Sequence, residues 1–178
     1  MLRKTKTVTI SLMMISAGLL NNKANAQSDI HVFVHGLFEL SVDKSTMKRY
    51  SSGLGAEAGI QYGRTNTFIT GTMGYTDFFH KGDSLAELGD LSYIPIRLGI
   101  RQNLGRLLYV HGDAGVGFIK NTKVDNSDNR FSFDAGAGVN VNDFEVELAV
   151  DSFKELNPDG WSFWVGVKAG WRIDFFNY

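Results

Sequence analysis

The chain has 178 residues, enough for one domain. Its 18 Lys and Arg stand against 19 Asp and Glu, so there is no basic excess of the kind that nucleic acid demands. It has no cysteine, which excludes disulfides, thiol chemistry and an acyl anchor on cysteine, and its 20 glycines against 2 prolines argue against a disordered Pro-rich chain.

Residues 1–26 read as a secretory signal peptide and 27–178 as the mature domain. Arg3, Lys4 and Lys6 make a basic start, and Val8 to Leu20 is an apolar run too short to span a bilayer comfortably. Ala24-Asn25-Ala26 then supplies a small-x-small cleavage site. Cleavage removes four cations and no acids, which leaves 14 cations, 19 acids and a charge of −5. No later apolar run is long enough for a transmembrane helix.

The mature chain repeats one pattern, in which apolar residues occupy every second position. Side chains alternate between the two faces of a strand, so each repeat is a strand with one apolar face. The segments are Ile30–Leu40, Leu54–Tyr62, Thr67–Tyr75, Tyr93–Gln102, Leu107–Phe118, Phe131–Val141, Phe144–Asp151 and Trp161–Phe176. Pro95 is a blemish in the fourth, tolerable near a strand end or a bulge. The last is the fullest example: Trp161, Phe163, Val165, Val167, Ala169, Trp171, Ile173 and Phe175 share one face, opposite Ser162, Trp164, Gly166, Lys168, Gly170, Arg172 and Asp174. Aromatics at both ends of an apolar face, with aliphatics between, are what a bilayer-crossing strand requires.

The connections alternate between short and long. Gly63–Asn66, Asn103–Arg106 and Asn142-Asp143 are hairpin turns. Ser41–Ser52, Asp77–Leu91, Lys120–Arg130 and Ser152–Gly160 are long polar links. Within the second of these, Ser84-Leu85-Ala86-Glu87 fits a capping box for one helical turn, with an ordinary polar loop as the alternative. In an outer-membrane barrel the short turns face the periplasm and the long loops face outside. Both mature chain ends are then periplasmic.

A soluble carrier barrel would show the same alternation with its faces exchanged. Gly55, Gly59, Gly115, Gly117, Gly136, Gly138, Gly166 and Gly170 all fall on the polar face. On a water-facing surface they weaken strands for no gain. Inside a narrow barrel they make room for long charged neighbours. The expected fold is therefore all-β: an eight-stranded antiparallel transmembrane up-and-down β-barrel behind a cleaved signal peptide.

The run Tyr93-Ile94-Pro95-Ile96-Arg97-Leu98-Gly99-Ile100, the run Tyr109 to Gly117 and the aromatic-rich end resemble the small outer-membrane β-barrel proteins of the OmpA-like and OmpX-like kind. The chain is similar in particular to the short porin-family barrels of Bacteroidetes-type bacteria. The resemblance covers the whole mature chain and implies the outer membrane of a Gram-negative bacterium. Its partners would be outer-membrane lipid, the barrel-insertion machinery and an extracellular partner at the long loops, with no nucleic acid. Phe175 has the strand parity that such chains place on lipid at their end, but Asn177 and Tyr178 follow it, which implies a shifted insertion signal.

Polar-face parity sends His31, His35, Glu39, Glu57, Arg97, Arg101, His111, Asp113, Asp134, Glu145, Glu147, Asp151, Lys168, Arg172 and Asp174 inward. Unpaired charges there are costly, so a lumen ion network is expected, carried by Glu57, Arg97, Arg101, His111, Asp113, Glu145, Glu147, Lys168 and Arg172. Counting back from the last hairpin sets Glu145 and Glu147 beside Lys168 on the neighbouring strand, within a residue or two. Tyr62, Phe144, Trp161, Trp171 and Phe175 are the expected lipid-interface aromatics. No cofactor is implied. A metal site reads poorly, because His31 and His35 lie about 13 Å apart along one strand. A catalytic triad also reads poorly, with His111 and Asp113 about 7 Å apart and Ser132 on another strand. The favoured role is a non-enzymatic structural or surface-interaction barrel with a closed lumen. The alternatives are a small solute channel and, with no His-x-Ser motif to support it, a lipid-modifying enzyme.

Overall fold

The computed structural model describes residues 29–43, 49–80, 89–121, 127–154 and 160–176, with the side chains of 127, 175 and 176 excepted. Eight strands follow one another: β1 Asp29–Ser41, β2 Tyr50–Arg64, β3 Thr67–His80, β4 Leu91–Leu104, β5 Leu108–Asn121, β6 Ser127–Val141, β7 Phe144–Lys154 and β8 Trp161–Phe176. Each pairs antiparallel with its neighbours in sequence. β8 returns to β1 through pairs such as His35↔Gly170 and Leu37↔Lys168, so the sheet closes into a barrel. Closure leaves no open edge, which is the condition for a sheet to survive in lipid. No described helix is long and apolar enough to cross a membrane.

The alternation sets the faces. Along β3, Phe68, Thr70, Thr72 and Thr76 are buried while Ile69, Met73 and Tyr75 are exposed. Leu98 is 72% exposed and Leu148 65%. In water a whole belt of such residues would be untenable, but against acyl chains it is the stable surface.

The hairpins are tight. Arg64 pairs with Thr67 and Val141 with Phe144, so Thr65-Asn66 and Asn142-Asp143 are two-residue turns. Their first residues take left-handed conformations, with φ of 55° at Thr65 and 58° at Asn142. Asn tolerates that region and β-branched Thr does not. The β4–β5 turn has Gly105 at φ 91°, where only glycine is unstrained.

The strands outrun the expected segments on the long-loop side. Asp77–His80 extend β3, Ser127–Arg130 extend β6 and Ser152–Lys154 extend β7. These residues were expected in loops. The strands run 11–16 residues, where about 9–11 suffice to cross a bilayer. The extra turns of sheet stand beyond the hydrocarbon, where an outward residue needs no apolar side chain and the alternation loses its contrast. Outward Asp77, for example, accepts hydrogen bonds from Tyr75 and Ser92, both 2.7 Å. Residues 84–87, the expected capping box, lie outside the described residues.

Pro95 sits well inside β4 rather than near its end. The β3–β4 ladder opens there: Met73↔Ile96 and Thr76↔Tyr93 keep one register, with no paired positions between them. Proline has no N–H to donate, so the sheet yields locally without slipping.

Candidate functional site: the barrel lumen

The inward faces of all eight strands meet in a filled lumen. At the end nearer the short turns, His31 Nδ1 lies 2.5 Å from Asp174 and Arg172 lies 3.2 Å from Glu145. Above them Arg101 grips Glu145 with two donors, at 2.9 and 2.8 Å, and reaches Asn140 at 2.8 Å. Its guanidinium carbon lies 3.6 Å from the Tyr109 ring centroid. Paired donors on a carboxylate and a ring beneath are the arrangement that suits arginine better than lysine. His35 completes this level, with Nε2 3.2 Å from Glu145.

The middle of the lumen is a second knot. His111 Nδ1 lies 2.8 Å from Asp113, and its Nε2 lies 2.9 Å from Glu147 and 3.3 Å from Asp134. Lys168 Nζ stands 3.0 Å from Asp134, 3.2 Å from Glu57 and 3.7 Å from Glu147. Arg97 lies 3.4 Å from Asp134 and 3.8 Å from Glu57, and it pairs with Asp151. These groups are nearly all under a tenth exposed. Buried charges of this kind persist only when each meets partners of opposite sign.

Above the ions lies an aromatic layer. Arg97 donates to the Tyr93 hydroxyl at 3.1 Å, and Tyr93 packs with Phe78, Phe153 and Trp164. Phe78 stacks on Trp164 with centroids 3.9 Å apart. Phe78, Tyr93 and Trp164 are fully buried. Sequence reasoning missed this layer. Phe78 and Phe153 lay in presumed loops, and the inward parity of Tyr93 and Trp164 was the available signal.

All nine residues of the expected ion network line the lumen, in two groups. Glu145 joins Arg101 and Arg172, whereas Glu147 joins Lys168 and His111. In register Glu147 faces Lys168 across the β7–β8 ladder and Glu145 faces Gly170, two residues away, so both lie within a residue or two of Lys168 as expected, and of the two it is Glu147 that lies 3.7 Å from it. Asp134 and Asp151, both on the inward parity, belong to the knot as well; strand parity names a face but not the partner across the barrel.

The inward glycines differ from the expectation too. A side chain on Gly59, Gly117 or Gly138 would collide with the rings of Phe33, Tyr93 and Tyr109. Gly136 and Gly166 make room chiefly for charged neighbours, His111 with Glu147 and Glu39, as Gly99 does for Asp113. At Gly55, Gly115 and Gly170 the obstacle is the next strand's backbone.

His111 and Asp113, about 7 Å apart by strand rise, are in direct contact, because their side chains lean together. Asp113 also accepts from Thr70. The far nitrogen of His111 meets the carboxylates Glu147 and Asp134, which occupy the place of a hydroxyl to be activated. His111, Asp113 and Asp134 bring donor atoms within 4.8 Å of one another, a spacing that suits a metal. The Lys168 ammonium and the Arg97 guanidinium already neutralise Asp134 at that place. His31 and His35, set apart on β1, go to separate carboxylates.

On the outer surface Tyr62 is 54% exposed and Trp171 63%, both near the short turns. Phe144 packs edge-on against Trp171 at 5.3 Å. Trp161 stands at the opposite rim, half-buried against Phe131 and Phe133. The Phe175 side chain lies outside the described residues.

A closed eight-stranded barrel with an apolar belt and a polar, filled interior defines a small transmembrane β-barrel protein. Residues 7–172 match the family model of the outer membrane protein beta-barrel domain, and the chain belongs to that family. Among solved structures it is similar to Ail, the attachment invasion locus protein of Yersinia pestis, with 16% identity, 82% of this chain and 97% of that one covered, and a TM-score of 0.51. The N-terminal barrel of Pseudomonas aeruginosa OprF gives 14% identity, 83% and 100% coverage and a TM-score of 0.54. Neisserial surface protein A gives 11%, 84% and 100%, and 0.56. At these identities the likeness concerns the fold alone. Comparison by sequence with the curated proteins gives no match.

Proposed function

We propose that this protein is a non-enzymatic, non-conducting barrel of the Gram-negative outer membrane that stabilises the envelope or presents its long loops to an extracellular partner. The observation that carries this reading is the central knot of Lys168 and Arg97 among Glu57, Asp134, Glu147 and Asp151, capped by buried Phe78, Tyr93, Phe153 and Trp164. Eight strands enclose a space that side chains just fill, whereas open porins need about twice as many. The reading includes removal of residues 1–26, insertion by the barrel-assembly machinery and periplasmic placement of both mature ends and the short turns.

The test is conductance of refolded protein in a planar bilayer, beside a Lys168→Ala, Arg172→Ala variant. A silent parent with a leaky variant supports the plug. Stable large steps from the parent would replace it with a channel. N-terminal sequencing of envelope protein should return Gln27, and Met1 or Leu2 would refute the cleavage.

A further inference from the structure

The lumen is not filled uniformly. In the half nearer the short turns, below the Lys168 knot, lies a cavity of about 20 Å³. Its lining includes His35 of β1, Gln61 of β2 and Tyr109 of β5. Each is nine-tenths or more buried, at 3%, 2% and 1% exposure. Each also carries a polar atom without a hydrogen-bond partner: His35 Nδ1, Gln61 Oε1 and the Tyr109 hydroxyl. A buried polar atom left unsatisfied is costly, and such atoms are individually rare. Three residues that bear such atoms line one cavity, from strands on opposite walls, and this points to a common ligand.

The donor and acceptor inventory narrows its chemistry. Gln61 Oε1 accepts only. The Tyr109 hydroxyl has a proton to give. His35 Nε2 faces the Glu145 carboxylate, which accepts only, so Nε2 carries a proton, and Nδ1 accepts in the singly protonated ring and donates in the doubly protonated one. The ligand must therefore be able both to donate and to accept. A metal cation cannot accept from Tyr109, and the cavity also contains Arg101 and His111. An anion cannot donate, and Glu57, Asp113 and Glu147 repel it. A cavity of roughly 10–15 Å³ suffices for one water, which has two protons and two lone pairs. An amide flip at Gln61 would exchange an acceptor for a donor, and water serves either.

We propose that this cavity is a specific binding site for one ordered water molecule, held between His35, Gln61 and Tyr109. The water joins β1 and β2 to β5 across the barrel and completes the packing beneath the ionic knot. The lumen is then hydrated at one level and dry at the next.

The test uses the mature protein refolded in phospholipid nanodiscs. Magnetisation transfer from water to the Gln61 side-chain amide and to the Phe33 ring, which also lines the cavity, reports a resident water directly. Phe33 has no exchangeable ring proton to imitate the effect. Cross-peaks at both are expected, and their absence in the folded parent would overturn the site. Tyr109→Phe removes one partner and should abolish or sharply weaken both cross-peaks; unchanged intensities would overturn the three-point geometry. Crystals soaked in rubidium or bromide complete the test. No anomalous peak in the cavity is expected, and a peak from either would replace water with an ion.

Discussion

Seven buried carboxylates point into the lumen: Glu39, Glu57, Asp113, Asp134, Glu145, Glu147 and Asp151. The guanidinium and ammonium groups that meet them are Arg97, Arg101, Lys168 and half-buried Arg172. Glu39 is the carboxyl left over. It is 2% exposed, its Oε2 has no hydrogen-bond partner, and among the described residues it joins no ion pair. Its electrostatic surroundings hold the carboxylates Asp151 and Asp134 and, acting the other way, the cations Lys168 and Arg97. Glu39→Gln keeps the shape and removes a carboxyl that burial makes costly to ionise, so it should stabilise the barrel by about 1–3 kcal/mol. Glu57→Gln, which strips a partner from Lys168 and Arg97, should do the reverse. Urea midpoints of the two refolded variants check the contrast, and a fall for Glu39→Gln would mean that its carboxylate is held by a cation after all. Thr65 offers a second residue-scale test. A β-branched residue at φ 55° is strained, whereas asparagine accepts that conformation. Thr65→Asn should add about 0.5–1 kcal/mol, and a loss on urea titration would contradict the strained turn.

At the scale of the strand, position parity decides what a substitution does. Gly112 faces outward, and a methyl there would meet nothing within 4 Å. Gly112→Ala should therefore stabilise by about 0.4–1 kcal/mol, by restricting the unfolded chain. Gly170 faces inward, and a methyl there would strike the Val34 carbonyl and come within 2.7 Å of the His35 Cα. Gly170→Ala should cost about 1–3 kcal/mol. Equal effects of the two changes would refute the assignment of faces on β5 and β8. The same parity is what made the fold legible. Eight alternating segments and three short turns gave the strands, their order and their inward sets, since a strand in lipid must be apolar on one side. Two things were hidden for physical reasons. The upper ends of β3 and β6 carry residues such as Asp77 and Asn129 on the outward parity, so contrast disappears where the sheet leaves the hydrocarbon. Partners across the lumen were hidden as well. Arg97 with Asp151 and Lys168 with Glu57 come from strands that are not neighbours, and their meeting depends on the tilt and stagger of the closed barrel, which no single strand records.

At the scale of the whole molecule, three tryptophans sample three environments of one barrel. Trp171 stands outside at the rim of the short turns and is 63% exposed. Trp161 stands outside at the opposite rim, shielded in part by Phe131 and Phe133. Trp164 has the opposite parity to both and is fully buried inside, stacked on Phe78. If the apolar belt is the lipid-contacting surface, brominated acyl chains can touch the first, partly reach the second and never reach the third. Three single-tryptophan proteins, each with the other two replaced by phenylalanine and refolded into brominated phospholipid, separate these cases by fluorescence. Strong quenching is expected for Trp171, intermediate quenching for Trp161 and little for Trp164. Phenylalanine preserves an aromatic partner for Phe78, so loss of Trp164 should not collapse the layer that caps the ions. A Trp164 signal quenched as strongly as that of Trp171 would mean that the β8 faces are exchanged, and the filled lumen would fall with them.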